Sequence, residues 1–221
     1  LHNRERMLQI IKEDKASREA RLLPSGHIII NTRLRARYTT TANINEQLGG
    51  VTYMQFVRTL ASNADAAWQP IADALAHVQS AVFQRDNLRL HVTCSEALIP
   101  QIESALAEFI AQTPQHTVTP HTWHTIAVPA HEALQAAAPV NYVGVSASLG
   151  ALGYTPNGAD IVVNRHLSRT FLHEEIREKG GAYGAFSVLD IRSGIVTMLS
   201  YRDPNVVQTL DVYANAGAWL Q

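Results

Sequence analysis

Apolar positions recur at helical spacing through most of the first half of the chain. In residues 3–22, NRERMLQIIKEDKASREARL, Leu8, Ile11 and the Lys15 stem share one side, and Asp14 and Arg18 form a favourable i,i+4 pair. LPSGH then breaks the pattern: Pro24 and Gly26 punctuate, and Ser25 is placed to cap the next segment. Residues 27–41 read two ways. HIIINT and the alternation of Arg33, Arg35 and Arg37 suit a strand, but Ala36 and the surrounding long side chains favour a helix, which is the expected form. Gly49-Gly50 ends the next short segment. From Thr52 to Ser80 the chain is alanine-rich and helical, with a break near Ser62-Asn63. Tyr53, Phe56, Leu60, Trp68, Ile71, Leu75 and Val78 form a stripe expected to lie in a core.

The second half mixes periods. DNLRLHVTC, 86–94, reads as a strand, and Cys94 as a buried structural thiol. A helix follows in which Pro100 takes the first position and Ile99, Ile102, Leu106 and Phe109 supply the face. QTPQHTVTPHT, 112–122, has two prolines and no helical period, and makes the best internal boundary. TIAVPA at 125–130 and NYVGVSAS read as strands. Pro156-Asn157-Gly158 introduces a helix running through Ile161, Val162, His166 and Leu167 toward Ile176. AYGAFSVLD and GIVTMLSYRD read as paired strands, and a last helix begins near Pro204-Asn205. The fold class predicted is α+β, a layered α/β fragment with helices packed on a mixed or antiparallel sheet.

Composition narrows the function classes. A chain of 221 residues with 46% hydrophobic and 17% charged residues has ample capacity for a core. Its net charge of −1 marks it for neither nucleic acid nor an anionic membrane. Nine of the Lys and Arg residues fall in the first fifty positions, where a solvated helix surface or a partner-facing face is the expected explanation. A single cysteine excludes an internal disulfide and a multi-thiolate zinc site. No apolar run reaches about 18 residues, so a membrane span is not expected. The start at Leu1 and the abrupt stop at Gln221 suggest an excised or processed piece with an incomplete second domain.

Candidate chemistry gathers in one stretch, HEEIREKGGAYG, 173–184. It begins like a zinc-peptidase HExxH helix, but Arg177 occupies the place of the second histidine. His166 and His173 are seven apart with Glu174 nearby, yet Glu174 would point about 100° away from His173 on a helix, and no third ligand is evident. His121 and His124 have i,i+3 spacing in a segment with no clear helix. They, His116 and His131 are read as solvent-facing or linker residues. No metal site is therefore assigned. Gly180, Gly181 and Gly184 lack the spacing of a phosphate loop and instead turn a helix end into a strand, holding Tyr183 at a defined edge. Arg177 faces the same opening. A guanidinium can hold a substrate carbonyl or carboxylate, and a tyrosine hydroxyl can donate to an oxygen developing charge. The plainer reading of the same residues is a structural Arg–Glu contact and a tyrosine packed beside a glycine turn.

FLHEEIREKGGAYGAF at 171–186 and SYRDPN at 200–205 resemble the pitrilysin-type (M16, inverzincin) zinc metallopeptidases, in particular their presequence-protease-like branch, subfamily C. NRERMLQIIKEDKASREARLLPSGH, NEQLGGVTYMQFVRTL and NLRLHVTC extend the resemblance across nearly the whole chain. It implies a clamshell of related α/β domains, with the HxxEH zinc motif and its distant glutamate in the N-terminal half. This chain has no HxxEH: neither HEALQ at 131–135 nor HEEIR at 173–177 supplies it. The resemblance thus implies a fragment of the C-terminal half that encloses unfolded peptide substrates, is inactive alone, and has the N-terminal zinc-bearing half of the same polypeptide as its partner. Zinc is expected in the intact parent and none in this fragment. There it would activate water and polarise the carbonyl. Arg177 would position the substrate backbone and Tyr183 would steady the scissile carbonyl or its oxyanion. Residues 1–115 would be the linker helix and part of the third peptidase-like domain, and 116–221 the start of the fourth. The alternative is a non-catalytic peptide-binding or processing-complex subunit on the same fold. The compartment would be the cytoplasm for a bacterial parent and the mitochondrial matrix for an organellar one.

Overall fold

The structure, a computed structural model, describes residues 3–117 and 121–221. Helices α1 (Arg4–Leu22), α2 (Gly26–Arg35), α3 (Thr40–Gly49), α4 (Val51–Asn63), α5 (Trp68–Val82) and α6 (Ile99–Gln112) come first. Strand β1 (Gly144–Ser148), helix α7 (Gly158–Arg169), strands β2 (Gly184–Asp190) and β3 (Ile195–Tyr201), and helix α8 (Val207–Trp219) follow. The class is α+β, and the strands form one antiparallel sheet in the order β1-β3-β2. The chain divides into two compact units, Leu1–Ile11 with Leu60–Thr122 and Lys12–Thr59 with Trp123–Gln221.

The first unit contains α5, α6 and the start of α1. Leu8 and Ala64 are buried, and Arg4 pairs with Asp65 at 3.3 Å. The backbone N–H of Arg85 donates to the carbonyl of Pro114, and its guanidinium to those of Ala111 and Thr113, so a short 3-10 turn is tied to the end of α6. Three expectations fail here. The strand expected at 86–94 is not formed: residues 86–87 belong to the 3-10 turn and 88–94 find no partner strand among the described residues. Apolar alternation makes a strand only where a neighbouring strand takes its hydrogen bonds. Leu90 and Val92 stand exposed, and so does Cys94, which is not a buried thiol. Val78, from the expected core stripe, is exposed, as is Phe109 on α6.

The second unit sandwiches the sheet. On one face α2 crosses β1 and β3 so closely that a Cβ on Gly144 would lie 2.7 Å from Ile30 Cγ2 and 2.8 Å from Leu199 Cδ2; only glycine fits. On the other, the core joins Val143 and Ala185 to Leu167 of α7, to Leu172, Ile176 and Ala182, and to Tyr213 and Ala216 of α8. The Tyr213 hydroxyl donates to the carbonyl of Val143 at 3.2 Å, and burial raises its pKa far above the ordinary tyrosine value. The helical form expected for 27–41 is realised in α2, the i,i+4 pair Arg18–Asp14 forms at 3.0 Å, and the paired strands are β2 and β3. Ser25 does not cap α2 with its hydroxyl; its carbonyl accepts from Ile28 and Ile29 instead. Phe56 is exposed.

Residues 125–130 are also not a strand. The side chain of Asn43 takes the place of a neighbouring strand, donating to the Ile126 carbonyl at 2.8 Å and accepting from its N–H at 2.9 Å. Nearby, Glu46 is 0% exposed; its Oε1 pairs with Arg33 Nη1 at 3.1 Å and accepts from the N–H of Thr52 at 3.0 Å, while Oε2 is buried without a partner. Arg33 also forks onto Glu132 at 2.8 and 3.0 Å. The buried carboxylate is neutralised by an arginine that itself has a second acid, a network tying α2, α3 and α4 together.

Candidate functional site

Helix α7 starts on a capping box: Asn157 accepts from the N–H of Ala159 and Asp160 accepts from that of Asn157. It ends at Arg169, and after Thr170 the chain winds into a π-helical segment, His173–Lys179. The wide turn places Leu172 and Ile176 fully inside while leaving Arg177 at the surface. Such segments are rare and gather at functional sites. Two glycines close it. The N–H of Gly181 reaches Arg177 O at 3.0 Å and that of Ala182 reaches Ile176 O at 3.0 Å. Gly181 has φ +79°, and a Cβ on Gly180 would sit 2.6 Å from Ile176 O. Gly184 lies past this turn, as the first residue of β2, opposite Tyr201.

A second loop holds the turn from outside. Arg202, at φ 51°, is a non-glycine residue in left-handed conformation, a strained position that ends β3. Its carbonyl accepts from the N–H of Tyr183 at 3.3 Å. The next residue, Asp203, is fully buried; it accepts from Thr209 Oγ1 at 2.7 Å and from the N–H of Asn205 at 2.8 Å. Asn205 then donates to the Gly180 carbonyl at 2.7 Å.

These supports bring Arg177 and Tyr183 to one open cleft of about 420 Å³, beside His173 and the end of β2. The Arg177 guanidinium carbon stands 5.8 Å from the centre of the Tyr183 ring. No carboxylate pairs with Arg177 among the described residues, so the structural Arg–Glu contact is not formed. Tyr183 is 65% exposed, with its ring edge-on to Tyr201 at 5.6 Å. The cleft floor is aromatic: Phe186 and Tyr201 lie there with His27 of α2 against both. Among the described residues, no acidic side chain lines it.

The histidines do not assemble. His166 packs at a tilt against Trp219, ring centres 5.4 Å apart, His173 contacts Glu178 at 3.2 Å, and Glu174 pairs with Lys179 at 2.9 Å. Glu175 also pairs with Lys179, and the two carboxylates raise the lysine pKa well above its ordinary value. No group of three His, Cys, Asp or Glu side chains among the described residues is arranged to hold a metal ion. Among the described residues, then, none are grouped to fit a zinc site. His27, Phe186 and Asn205 were not legible as site residues: His27 reaches the cleft only because α2 packs on strands far along the chain.

Two family models match the sequence, one described as the PreP C-terminal domain over residues 131–221 and one as a region associated with peptidase family M16, subfamily C, over residues 1–60. The chain belongs to subfamily C of peptidase family M16. It corresponds to the C-terminal region of presequence-protease-like members. It is 32% identical over 220 residues to presequence protease 1, chloroplastic/mitochondrial, of Arabidopsis thaliana, covering 99% of this chain and 20% of that protein. Identity to the mitochondrial presequence protease of Saccharomyces cerevisiae is 26%, over 99% of this chain and 23% of the relative. For Protein HypA of Clostridium perfringens it is 27%, over 100% and 22%. The chain thus spans about a fifth of the length of these curated relatives. No helix among the described residues is long and apolar enough to cross a membrane.

Proposed function

We propose that this chain is the substrate-enclosing C-terminal portion of a zinc-dependent metalloendopeptidase that degrades unfolded peptides. Arg177 binds and orients the peptide main chain, and Tyr183 donates from its hydroxyl to the scissile carbonyl oxygen as charge develops there. The observation that carries the reading is the pairing of an unneutralised guanidinium with an exposed tyrosine in one cleft without acidic side chains. A main-chain carbonyl needs donors and no competing carboxylate, and the cleft supplies that set. Zinc belongs in this reading to residues of the N-terminal half of the same polypeptide, and no step of its chemistry falls on a residue of this chain. Residues 1–115 and 116–221 are taken as parts of the third and fourth peptidase-like domains, and the compartment follows that of the parent.

The test is metal content and hydrolysis of an unstructured peptide, with a chelator control. The 221-residue chain alone should be metal-free and inactive, and the full-length polypeptide chelator-sensitive and active. Stoichiometric zinc with cleavage by the chain alone would overturn the reading. A full-length polypeptide that binds peptide without cleaving it would establish the non-catalytic alternative.

A further inference from the structure

We propose that His27 is a third hydrogen-bond donor of this cleft, presenting Nε2–H to a carbonyl oxygen of an extended peptide main chain held beside Arg177 and Tyr183. The inference rests on the reading of the cleft as a peptide site. It adds a residue from α2, far in sequence from the HEEIREKGGAYG stretch.

The imidazole is held in place by its surroundings. Its ring stands edge-on to Tyr201 at 4.8 Å and to Phe186 at 5.6 Å, with interplanar angles of 81° and 79°. The preceding residue, Gly26, lies against the Tyr142 ring with no space for a side chain, which fixes where α2 begins. The two ring nitrogens then differ. Nδ1 is buried and has no hydrogen-bond partner. A proton placed there would be a donor sealed away from every acceptor, a costly arrangement. The neutral ring avoids it by carrying its proton on Nε2, leaving at Nδ1 only an unfilled lone pair, the lesser of the two costs. That nitrogen is neither sealed nor bonded to any described residue, and the histidine lines the cleft. Burial also lowers the His27 pKa, so the ring stays uncharged near neutrality and remains a single donor. Three donors of different kinds thus line a cleft without a carboxylate. Carbonyl oxygens along a peptide are the acceptors that match them, whereas an ammonium group would find no counter-charge.

The experiment uses the full-length polypeptide that carries this chain and an unstructured peptide substrate. His27→Phe keeps a flat ring between Tyr201 and Phe186 but removes the donor, while His27→Gln restores an amide donor near the same place. His27→Phe should raise KM by about 2- to 12-fold, the range of one net hydrogen bond, with kcat within about twofold, and His27→Gln should recover most of the loss. An unchanged KM in His27→Phe overturns the inference. So does a loss that accompanies a lowered Tm and is not relieved by Gln, since that marks packing alone. Arg177→Ala measured alongside separates the levels. If Arg177→Ala lowers kcat/KM while His27→Phe leaves KM unchanged, only the role of His27 fails; if Arg177→Ala leaves kcat and KM untouched, the reading of the cleft fails and this inference with it. Should His27→Phe not fold, imidazole 15N NMR of the wild-type protein decides. Nδ1 should show an unprotonated shift, and Nε2–H should move when peptide binds. A protonated Nδ1, or an Nε2 that does not respond, overturns the assignment.

Discussion

The side-chain amide of Asn205 donates to the carbonyl oxygen of Gly180 at 2.7 Å, joining the loop after β3 to the glycine turn before β2. Twenty-five residues apart, the two motifs form one support under Tyr183. Asn205→Ala should cost about 1 kcal/mol, the worth of one net hydrogen bond, and lower Tm by a few degrees. Turnover of an unstructured peptide by the full-length polypeptide should fall as well, because the turn no longer fixes the tyrosine. Thermal unfolding and steady-state kinetics on the same preparation check both effects.

Arg177 and Tyr183 are exposed, so replacing them should leave stability within about 0.5 kcal/mol. Their effect should be on chemistry. Tyr183→Phe should reduce kcat on the order of 10²-fold, as expected for a lost transition-state donor. Arg177→Lys should restore little of the loss in Arg177→Ala, since an ammonium lacks the planar fork. Equal kcat/KM for wild type, Tyr183→Phe and Arg177→Ala would remove both residues from the mechanism.

The glycine turn gives a graded pair of substitutions. Gly181→Ala has room, with Pro204 Cγ at 3.7 Å, so its cost is the left-handed backbone, about 1–2 kcal/mol. Gly180→Ala instead drives a methyl into Ile176 O and should be the more damaging. Chemical denaturation of the two variants should rank them in that order.

Glu46→Ala should be among the most destabilising changes in the second unit. It leaves Arg33 facing a site the carboxylate filled and removes the acceptor for the Thr52 N–H. Loss of one partner of a buried pair costs about 3–5 kcal/mol, and the low end is expected because Arg33 keeps Glu132. A drop in denaturation midpoint comparable to a surface substitution would show that the network carries little.

Burial holds the His27 imidazole below its ordinary 6.5. As pH falls past that value the unfolded chain takes up a proton that the folded chain refuses. Stability contributed by the neutral ring is thus full above 6.5 and declines below it, until the folded imidazole also protonates. His27→Phe should flatten that part of a stability-against-pH curve. An unchanged slope would mean the folded ring accepts its proton as readily as the unfolded one.

How much of this was legible depended on whether the cause was local. Helix propensity placed α2, and capping, turns and alternation placed α7, β2 and β3, because Ala36, Asn157, Gly180 and the pattern of GIVTMLSYRD act within a few residues. The strand expected at 86–94 failed because pairing needs a neighbour that sequence alternation cannot name. At 125–130 the expected strand was replaced by Asn43, whose amide meets the same backbone needs with one side chain. That Arg177 and Tyr183 share one opening could be read from their glycine context. His27 could not, since nothing in its own segment points to β2.

The seating of Ile30 and Leu34 against Gly144 and Leu199 also governs how the chain is born. Helix α2 leaves the ribosome about 160 residues before β3, on the order of ten seconds earlier at ordinary rates of synthesis. Pairings so distant in sequence are slow to close even in a complete chain. Stalled nascent chains ending before and after Tyr201 should differ in protease resistance at α2. During that interval the apolar face of α2 has no sheet to cover it, and translation speed sets how long that face stays bare.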